Sequence, residues 1–159
     1  MHVSARADYA IRAAAELAAA GEAMKGERIA EAQAIPLKFL ENVLLELKHA
    51  GIVSSRRGVS GGYMLARPAA DISLADVIRA VDGPMANVRG QRPETVEYPG
   101  PAAALREVWV AVRASLREVL EATSLADLVA GHLPPRVAEL TADPEAWVSL
   151  GRIRGTPGA

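Results

Sequence analysis

Cysteine is absent from this 159-residue chain, and only three histidines are present. Without thiolates the chain forms no disulfide, no cysteine-ligated zinc site and no cysteine-held iron–sulfur cluster. Aromatic residues make up 4% of the chain, so the core must consist mainly of Ala, Leu, Val and Ile. Charges interrupt every apolar run before the ~18 residues of a membrane-spanning helix, and the charged N-terminus does not resemble a signal peptide. We therefore expect a cytoplasmic globular protein without a membrane segment.

The residues that enzymes and metal sites require are also scarce. His2, His49 and His132 lie far apart and lack the spacing of metal ligands, so the sequence predicts no metal. No nucleophile–base order, paired carboxylates or cofactor motif stands out. The glycines at 58, 61 and 62 lack the Gly-Lys-Ser/Thr ending of a phosphate-binding loop and do not lead into a helix. We expect neither an enzyme nor a bound cofactor.

Charge is distributed unevenly along the chain, although the overall net charge is only −1. Residues 1–67 contain nine Lys and Arg against seven Asp and Glu, whereas residues 68–159 contain nine against twelve. This bias is too small to indicate nucleic-acid binding by itself. The positions of the cations within the predicted elements are more informative.

Hydrophobic periodicity predicts six helices and one β-hairpin. Pro36 marks a tight turn before the third helix, because proline disfavours helical geometry in the residue that precedes it. The predicted helices cover residues 4–20, 27–33, 37–51, 72–81, 102–121 and 124–130, and the strands cover 52–55 and 63–65. The proline-rich stretch 84–101 is predicted to be an extended loop, and the tail after residue 135 shows one weak helical patch at 146–150.

The first 67 residues follow the order of a winged helix-turn-helix: three helices, then a hairpin with a basic, glycine-rich tip. The predicted fold is mainly α with a small β-hairpin. A helix fits the DNA major groove, and arginines at the hairpin tip reach the narrower minor groove. Glycines 58, 61 and 62 would let the backbone approach phosphates. Winged helices also serve as protein–protein modules that do not bind DNA, which is the alternative function.

The sequence also resembles a known family over about residues 1–133. The resemblance is carried by Tyr9-Ala10, Ile29-Ala30, Ile35-Pro36-Leu37-Lys38-Phe39-Leu40-Glu41, Ala50-Gly51-Ile52-Val53-Ser54-Ser55, Arg57-Gly58-Val59-Ser60-Gly61-Gly62-Tyr63, Val81-Asp82-Gly83 and Ser124-Leu125-Ala126-Asp127-Leu128. These segments resemble the Rrf-type winged helix-turn-helix transcription regulators, the IscR/NsrR/CymR family. The resemblance implies a homodimer that binds double-stranded DNA and regulates transcription, and we expect a repressor.

Matching the residues to the family's pattern implies a set of DNA contacts. Glu41 is suited to a cytosine amino group and Asn42 to adenine, whereas Phe39 either touches a thymine methyl group or packs beneath the helix. Arg57 is the expected minor-groove residue, and Tyr63 is expected to brace the wing. The predicted DNA-binding residues are Ser4, Arg6, Lys38, Phe39, Glu41, Asn42, Ser54, Ser55, Arg56, Arg57, Gly58, Ser60, Gly61 and Gly62.

The resemblance also implies a domain organisation. The predicted units are a winged-helix domain at 1–83, an effector or linker loop at 84–101, dimerisation helices at 102–133, and a partly flexible tail at 134–159. One apolar face of the long helix is predicted to pack against the same helix of a second copy. The alternative is that it packs against the winged-helix domain of its own chain, called the head below. This predicted dimer interface comprises Leu105, Trp109, Val112, Leu116 and Leu120.

The chain departs from the cluster-binding members of the family in the loop before the long helix. Residues 85–99 contain no cysteine, and Arg106 occupies the position where some members have a histidine. Arginines and apolar side chains here suggest a pocket for an anionic effector. The predicted pocket residues are Met85, Arg89, Arg92, Tyr98, Arg106 and Trp109. The alternatives are that these arginines are solvated or paired with Glu94, Glu97 and Glu107, that a protein is the effector, or that no sensor exists.

Overall fold

A computed structural model describes residues 3–148 and contains seven α-helices and one antiparallel hairpin in that range. Three of the helices begin at a serine whose hydroxyl accepts a hydrogen bond from the first turn, which satisfies a backbone donor there. The elements are α1 Ala5–Ala20, α2 Gly26–Gln33, α3 Leu37–His49, β1 Val53–Arg56, β2 Gly62–Leu65, α4 Leu74–Asp82, α5 Leu105–Leu120, α6 Leu125–Ala130 and α7 Pro135–Thr141.

The core is built around the alanine-rich face of α1. Ala7, Ala10, Ala13 and Ala14 are at most 1% exposed. Their small side chains let α1 contact α2, α3, α4 and α6 closely, with branched residues from those helices filling the remaining space. The low aromatic content is thus matched by a core of aliphatic side chains, as the composition predicts.

The hairpin pairs Val53 with Leu65 and Arg56 with Gly62. A short bridge extends it on its other side: the amide of Met24 donates to the carbonyl of Tyr63, and the amide of Tyr63 donates back, both at 2.8 Å. Met24 lies just before α2, so the wing is fixed to the helix-turn-helix by backbone bonds. Because these bonds come from the backbone, the bracing role predicted for Tyr63 itself stays a prediction.

The starts of α4 and α6 are joined in a similar way. Ser73 and Ser124 each form a reciprocal capping box with the aspartate three residues later. The amide of Leu74 donates to the carbonyl of Thr123, and the amide of Leu125 donates to the carbonyl of Ile72, both at 2.9 Å. Hydrogen bonds from Ser124 lower the pKa of Asp127. The segment after α5 therefore returns to the head and is attached to it.

The largest differences from the sequence prediction lie in the second half of the chain. The region after Gly131 was expected to end helical structure, but Pro134-Pro135 begins α7, because proline suits the first turn of a helix. Helix α5 begins at Leu105 and not at residue 102, since Gly100–Ala102 form a 3-10 turn. The predicted patch at 146–150 overlaps a 3-10 turn at Pro144–Trp147, and residues 149–159 of the predicted tail lie outside the described range.

The loop between α4 and α5 adopts defined turns. Val88 and Gln91 exchange two backbone hydrogen bonds of 2.9 Å, and a 3-10 turn spans Pro93–Thr95. Pro93 and Val96 are buried. The loop packs along α5, which has no fully buried residue of its own. Within residues 3–148, no helix has the length and apolar content needed to cross a membrane.

Candidate DNA-binding surface

Helix α3 buries one apolar face against the core and turns polar side chains outward. Leu40, Val43, Leu44 and Leu47 are buried at 0–1% exposure. The side chains between them, Lys38, Glu41 and Asn42, are exposed. The periodicity of this helix therefore positions three polar side chains of the kind that contact phosphates and base edges.

Phe39 lies at the edge of this face. Its ring packs edge-to-face on Tyr9 of α1, with centroids 5.4 Å apart and planes at 89°. It is nevertheless 38% exposed. Both roles that the sequence allowed are compatible with this position, since one ring edge packs against α1 and the other remains accessible.

The turn between α2 and α3 sets the angle at which α3 leaves the core. Ala34 adopts a left-handed conformation with φ of 50°, and the amide of Ile35 donates to the carbonyl of Ala30 at 2.9 Å. A non-glycine residue in this region costs roughly 1–2 kcal/mol, so the packing around it must maintain the turn. Ile35, which is 3% exposed, anchors it in the core.

The wing tip carries two exposed arginines, Arg56 and Arg57. Among residues 3–148, neither forms an ion pair. Lys48 of α3 donates to the hydroxyl of Ser55 at 2.6 Å, which connects the end of α3 to β1. Two guanidinium groups therefore lie in solvent at the wing tip, next to α3, which is the recognition helix of the predicted fold. This is the arrangement expected for contacts with the minor groove and with phosphates.

Two of the wing glycines are required by the close packing of the protein's own backbone. A Cβ at Gly61 would lie 2.3 Å from the carbonyl oxygen of Arg56, and one at Gly62 would lie 2.4 Å from that of Met24. The chain's own close packing therefore requires glycine at both positions, and the phosphate contacts predicted for them stay predictions. At Gly58 the φ of 110° favours glycine and the space around it is open, which leaves room for the expected approach of a phosphate.

The two residues predicted at the start of α1 have partners within the protein. The Ser4 hydroxyl accepts from the Ala7 amide at 3.0 Å and lies 2.5 Å from Asp82 of α4, to which it donates. Arg6 binds Glu46 of α3 and donates to the carbonyl of Val81 at 2.7 Å. These side chains therefore connect α1 to α3 and α4 in the free protein. The predicted phosphate contacts of Ser54 and Ser60 stay predictions, as do those of Ser4 and Arg6.

The predicted effector residues are not gathered into one pocket. The Arg89 guanidinium lies 5.8 Å from the centroid of the Tyr98 ring, and Trp109 Nε1 donates to the Tyr98 hydroxyl at 3.1 Å. Arg106 pairs at 3.1 Å with Glu107, whose pKa is lowered by a hydrogen bond to its own backbone and by Arg106.

Met85 and Arg92 instead line a separate cleft, which the sequence analysis did not identify. The cleft has three other basic residues. Arg79 comes from α4, and Arg113 and Arg117 come from a face of α5 that is not part of its apolar stripe. The i, i+4 spacing of Arg113 and Arg117 is the only feature of the sequence that could have pointed to this cleft.

Three helices, a tight turn before the exposed third helix and a basic wing define a winged helix-turn-helix DNA-binding protein. The profile of the Rrf2 family, described as an iron-dependent transcriptional regulator, matches residues 3–131. The chain belongs to the Rrf2 family and is a DNA-binding transcriptional regulator, not an enzyme. The family and the fold class predicted from the sequence are both confirmed.

Individual relatives agree with this assignment. Rv1287 of Mycobacterium tuberculosis, named as a candidate HTH-type transcriptional regulator, is 49% identical over 151 residues, which cover 94% of each chain. The structure of CymR, the global cysteine regulator of Bacillus subtilis, superposes with a TM-score of 0.71 at 32% identity and covers 82% of this chain and 98% of that one. IscR of T. potens gives a TM-score of 0.68 at 29% identity and covers 95% and 94%.

The iron dependence in the family description does not fit the residues of this chain. A cluster of the cysteine-held kind needs soft thiolate ligands, and the chain has no cysteine. Among residues 3–148, no group of three or more His, Asp or Glu side chains is arranged to hold a metal ion. No step in the account below therefore depends on iron.

Proposed function

We propose that this regulator acts in the cytoplasm as a homodimer that reads a two-fold related operator, one winged-helix head on each half-site. The observation that carries this proposal is the solvent exposure of the apolar residues of α5. No residue of this 16-residue helix is buried, and Val108 and Val112 are 51% and 36% exposed. An unpartnered apolar face of this length is suited to packing against a second copy.

The predicted interface residues of α5 differ in how far the chain itself covers them. Leu116 and Leu120 face the head across a small apolar cavity that Val3 and Ile78 also line. Trp109 contacts the chain's own loop through Tyr98. Val112, with Val108 beside it, is thus the part of the predicted face that the chain itself covers least. We expect these two residues to lie in the centre of the dimer contact.

On each half-site, α3 enters the major groove and the wing contacts the adjacent minor groove. Lys38, Asn42 and Glu41 face outward on α3, and Arg57 lies at the wing tip. Arginine is favoured in a narrow minor groove because the negative potential is strongest there. The other predicted DNA-binding residues, Phe39 apart, contact the phosphate backbone of the operator and so fix the position of the protein on it.

The regulator acts as a repressor in this proposal. A dimer on two half-sites covers at least one turn of DNA, and the covered DNA is closed to RNA polymerase without any further contact surface. An effector, either a small molecule or a protein, then adjusts the affinity of the dimer for its operator. The loop between α4 and α5 supports this part, because it connects the head to the proposed dimer helix.

The proposal is tested by selecting DNA from a random duplex library with the full-length protein at low salt. Enrichment of a two-fold symmetric site is expected. A Lys38→Ala, Arg57→Ala double variant is run in parallel and is expected to enrich no site. If the wild type enriches no DNA, either alone or with cell extract added as a source of effector, the chain is a protein-interaction module. If it enriches a site without symmetry, the homodimer is wrong.

A further inference from the structure

A cleft of about 320 Å³ lies between the end of α4, the loop that follows it and the middle of α5. Four arginines line it: Arg79 from α4, Arg92 from the loop, and Arg113 and Arg117 from α5. Pro84 and Met85 form an apolar wall. The volume lies at the lower end of the range for sites that bind small organic ligands.

The charges around the cleft do not balance. Arg113 pairs with Glu94, while Arg79 and Arg117 share the single carboxylate of Glu121, with Arg117 Nε 2.9 Å from it. Arg79 also lies 3.8 Å from Asp76, but Asp76 is shared in turn with Arg67 at 4.0 Å. If Asp76 is counted, Arg67 must be counted with it, so the difference between arginines and carboxylates stays the same. The cleft retains an excess of two positive charges.

Arg92 is the arginine of this group that forms no ion pair among residues 3–148. It comes from a segment in which Ala86 and Arg89, both non-glycine residues, adopt positive φ of 56° and 52°. Such conformations cost free energy and persist where the surroundings hold them. The packing around the loop therefore holds its backbone in an unfavourable conformation beside the cleft. In this conformation the Arg92 guanidinium is available to bind an anion.

We propose that this cleft binds a small organic anion with at least two carboxylate or phosphate groups, and that this anion is the effector of the regulator. Guanidinium groups bind such oxyanions through paired N–H donors, and all four cations in the cleft are arginines. An anion of charge −2 matches the excess. The apolar wall of Pro84 and Met85 suits a short carbon skeleton.

The position of the cleft explains how occupancy reaches the DNA-binding head, a step that rests on the proposed function. Arg79 precedes Val81 and Asp82 in α4, whose carbonyl and carboxylate bind Arg6 and Ser4 of α1. Arg6 also binds Glu46 of the recognition helix. A shift of the end of α4 would therefore alter the contacts that orient α3. We expect the anion to change the affinity of the protein for its selected duplex.

Calorimetric titration of the full-length protein without DNA tests the site. Citrate and pyrophosphate serve as the carboxylate and phosphate probes, with acetate at matched ionic strength as the monovalent control. We expect one citrate or pyrophosphate to bind per chain and acetate not to bind. The probe that binds identifies the anion chemistry. Binding of neither multivalent anion, or equal binding of acetate, would overturn the proposal.

Two matched variants locate the binding. Arg92→Gln removes an exposed cation without breaking an ion pair in the described range, and it should weaken binding at least tenfold. Arg106→Gln removes an arginine of the sequence-predicted pocket that the structure places outside the cleft, and it should not change the affinity. Equal weakening by both variants would show a general charge effect and overturn the site. Because the titration contains no DNA, its outcome is independent of whether the protein selects an operator.

Discussion

Lys38 and Arg57 have no internal partner among residues 3–148, in contrast to Arg6 and Lys48. Arg6 is bound to Glu46 and Val81, and Lys48 to Ser55, so these side chains must exchange one partner for another when they contact DNA. Lys38 and Arg57 exchange only water and counterions. The favourable free energy of their phosphate contacts is therefore not offset by a lost internal bond.

Arg57→Ala is expected to weaken binding to the selected duplex by about 1–3 kcal/mol and to reduce the preference for A/T-rich flanks. The physical reason is loss of a guanidinium group from the narrow minor groove. Fluorescence anisotropy with duplexes of different flanks measures both effects. Arg136→Ala, which removes the same charge from α7, is the control. Unchanged affinity and preference in the Arg57 variant would show that the wing assignment is wrong.

Lys38→Ala is expected to reduce the slope of log affinity against log salt by about one. Each phosphate contact releases about one counterion, and Lys38 lies at the start of α3, where a phosphate contact is expected. Titrations at several salt concentrations give the slope. A slope equal to that of the wild type would remove Lys38 from the phosphate contacts.

The wing hairpin depends on close backbone packing at its base. Gly61 is buried, and a Cβ there would collide with the backbone of Arg56 and Arg57 at 2.3–2.7 Å. Backbone atoms cannot yield as the end of a flexible side chain can. The conformation of the hairpin, and hence the direction of its arginines, therefore requires glycine at this position.

Gly61→Ala is expected to lower the free energy of unfolding by about 2–3 kcal/mol, measured by urea denaturation. Gly26→Ala is the matched control, since its Cβ would meet only ordinary contacts of 3.6 Å or more at the start of α2. That variant should keep or slightly raise the stability. If Gly61→Ala were as stable as the wild type but failed to bind DNA, the glycine would serve the phosphate approach instead.

The helices of the head were predictable because each has strong local signals. Ser4 and Gly21 bound α1, and the spacing of Leu40, Val43, Leu44 and Leu47 gives the buried face of α3 directly. The start of α7 was missed because Pro135 signals both an end and a beginning. Local sequence does not distinguish the two, and only the contacts of α7 with α5 and the following turn settle them.

The arginine cleft was beyond prediction for a different reason. Of the three arginines predicted to bind an effector, Arg89, Arg92 and Arg106, only Arg92 lines the cleft. The other cations come from α4 and α5, which are brought together by tertiary packing. Arg106 lies on the same face of α5 as Arg113 and Arg117, but about two turns nearer the start of the helix, and it does not line the cleft.

In the proposed dimer, the contact through α5 determines how the two winged-helix domains are spaced on the operator. Val112→Glu is expected to convert the dimer to a monomer, because a carboxylate in the apolar contact loses its hydration without gaining a partner. Sedimentation velocity measures the mass. Val129→Glu introduces the same charge on α6 at a site that is 44% exposed, and it should leave the mass unchanged. A Val112 variant that stays dimeric would place the interface elsewhere.

Chemical footprinting of the selected duplex examines the dimer, the recognition helix and the wing together. Two sets of major-groove protections related by a two-fold axis are expected, with centres one or more helical turns apart, and minor-groove protections beside each set. The Arg57→Ala variant should lose the minor-groove protections and keep the others. A single protected half-site, or minor-groove protections that survive the loss of Arg57, would contradict a dimer that reads DNA with α3 and the wing.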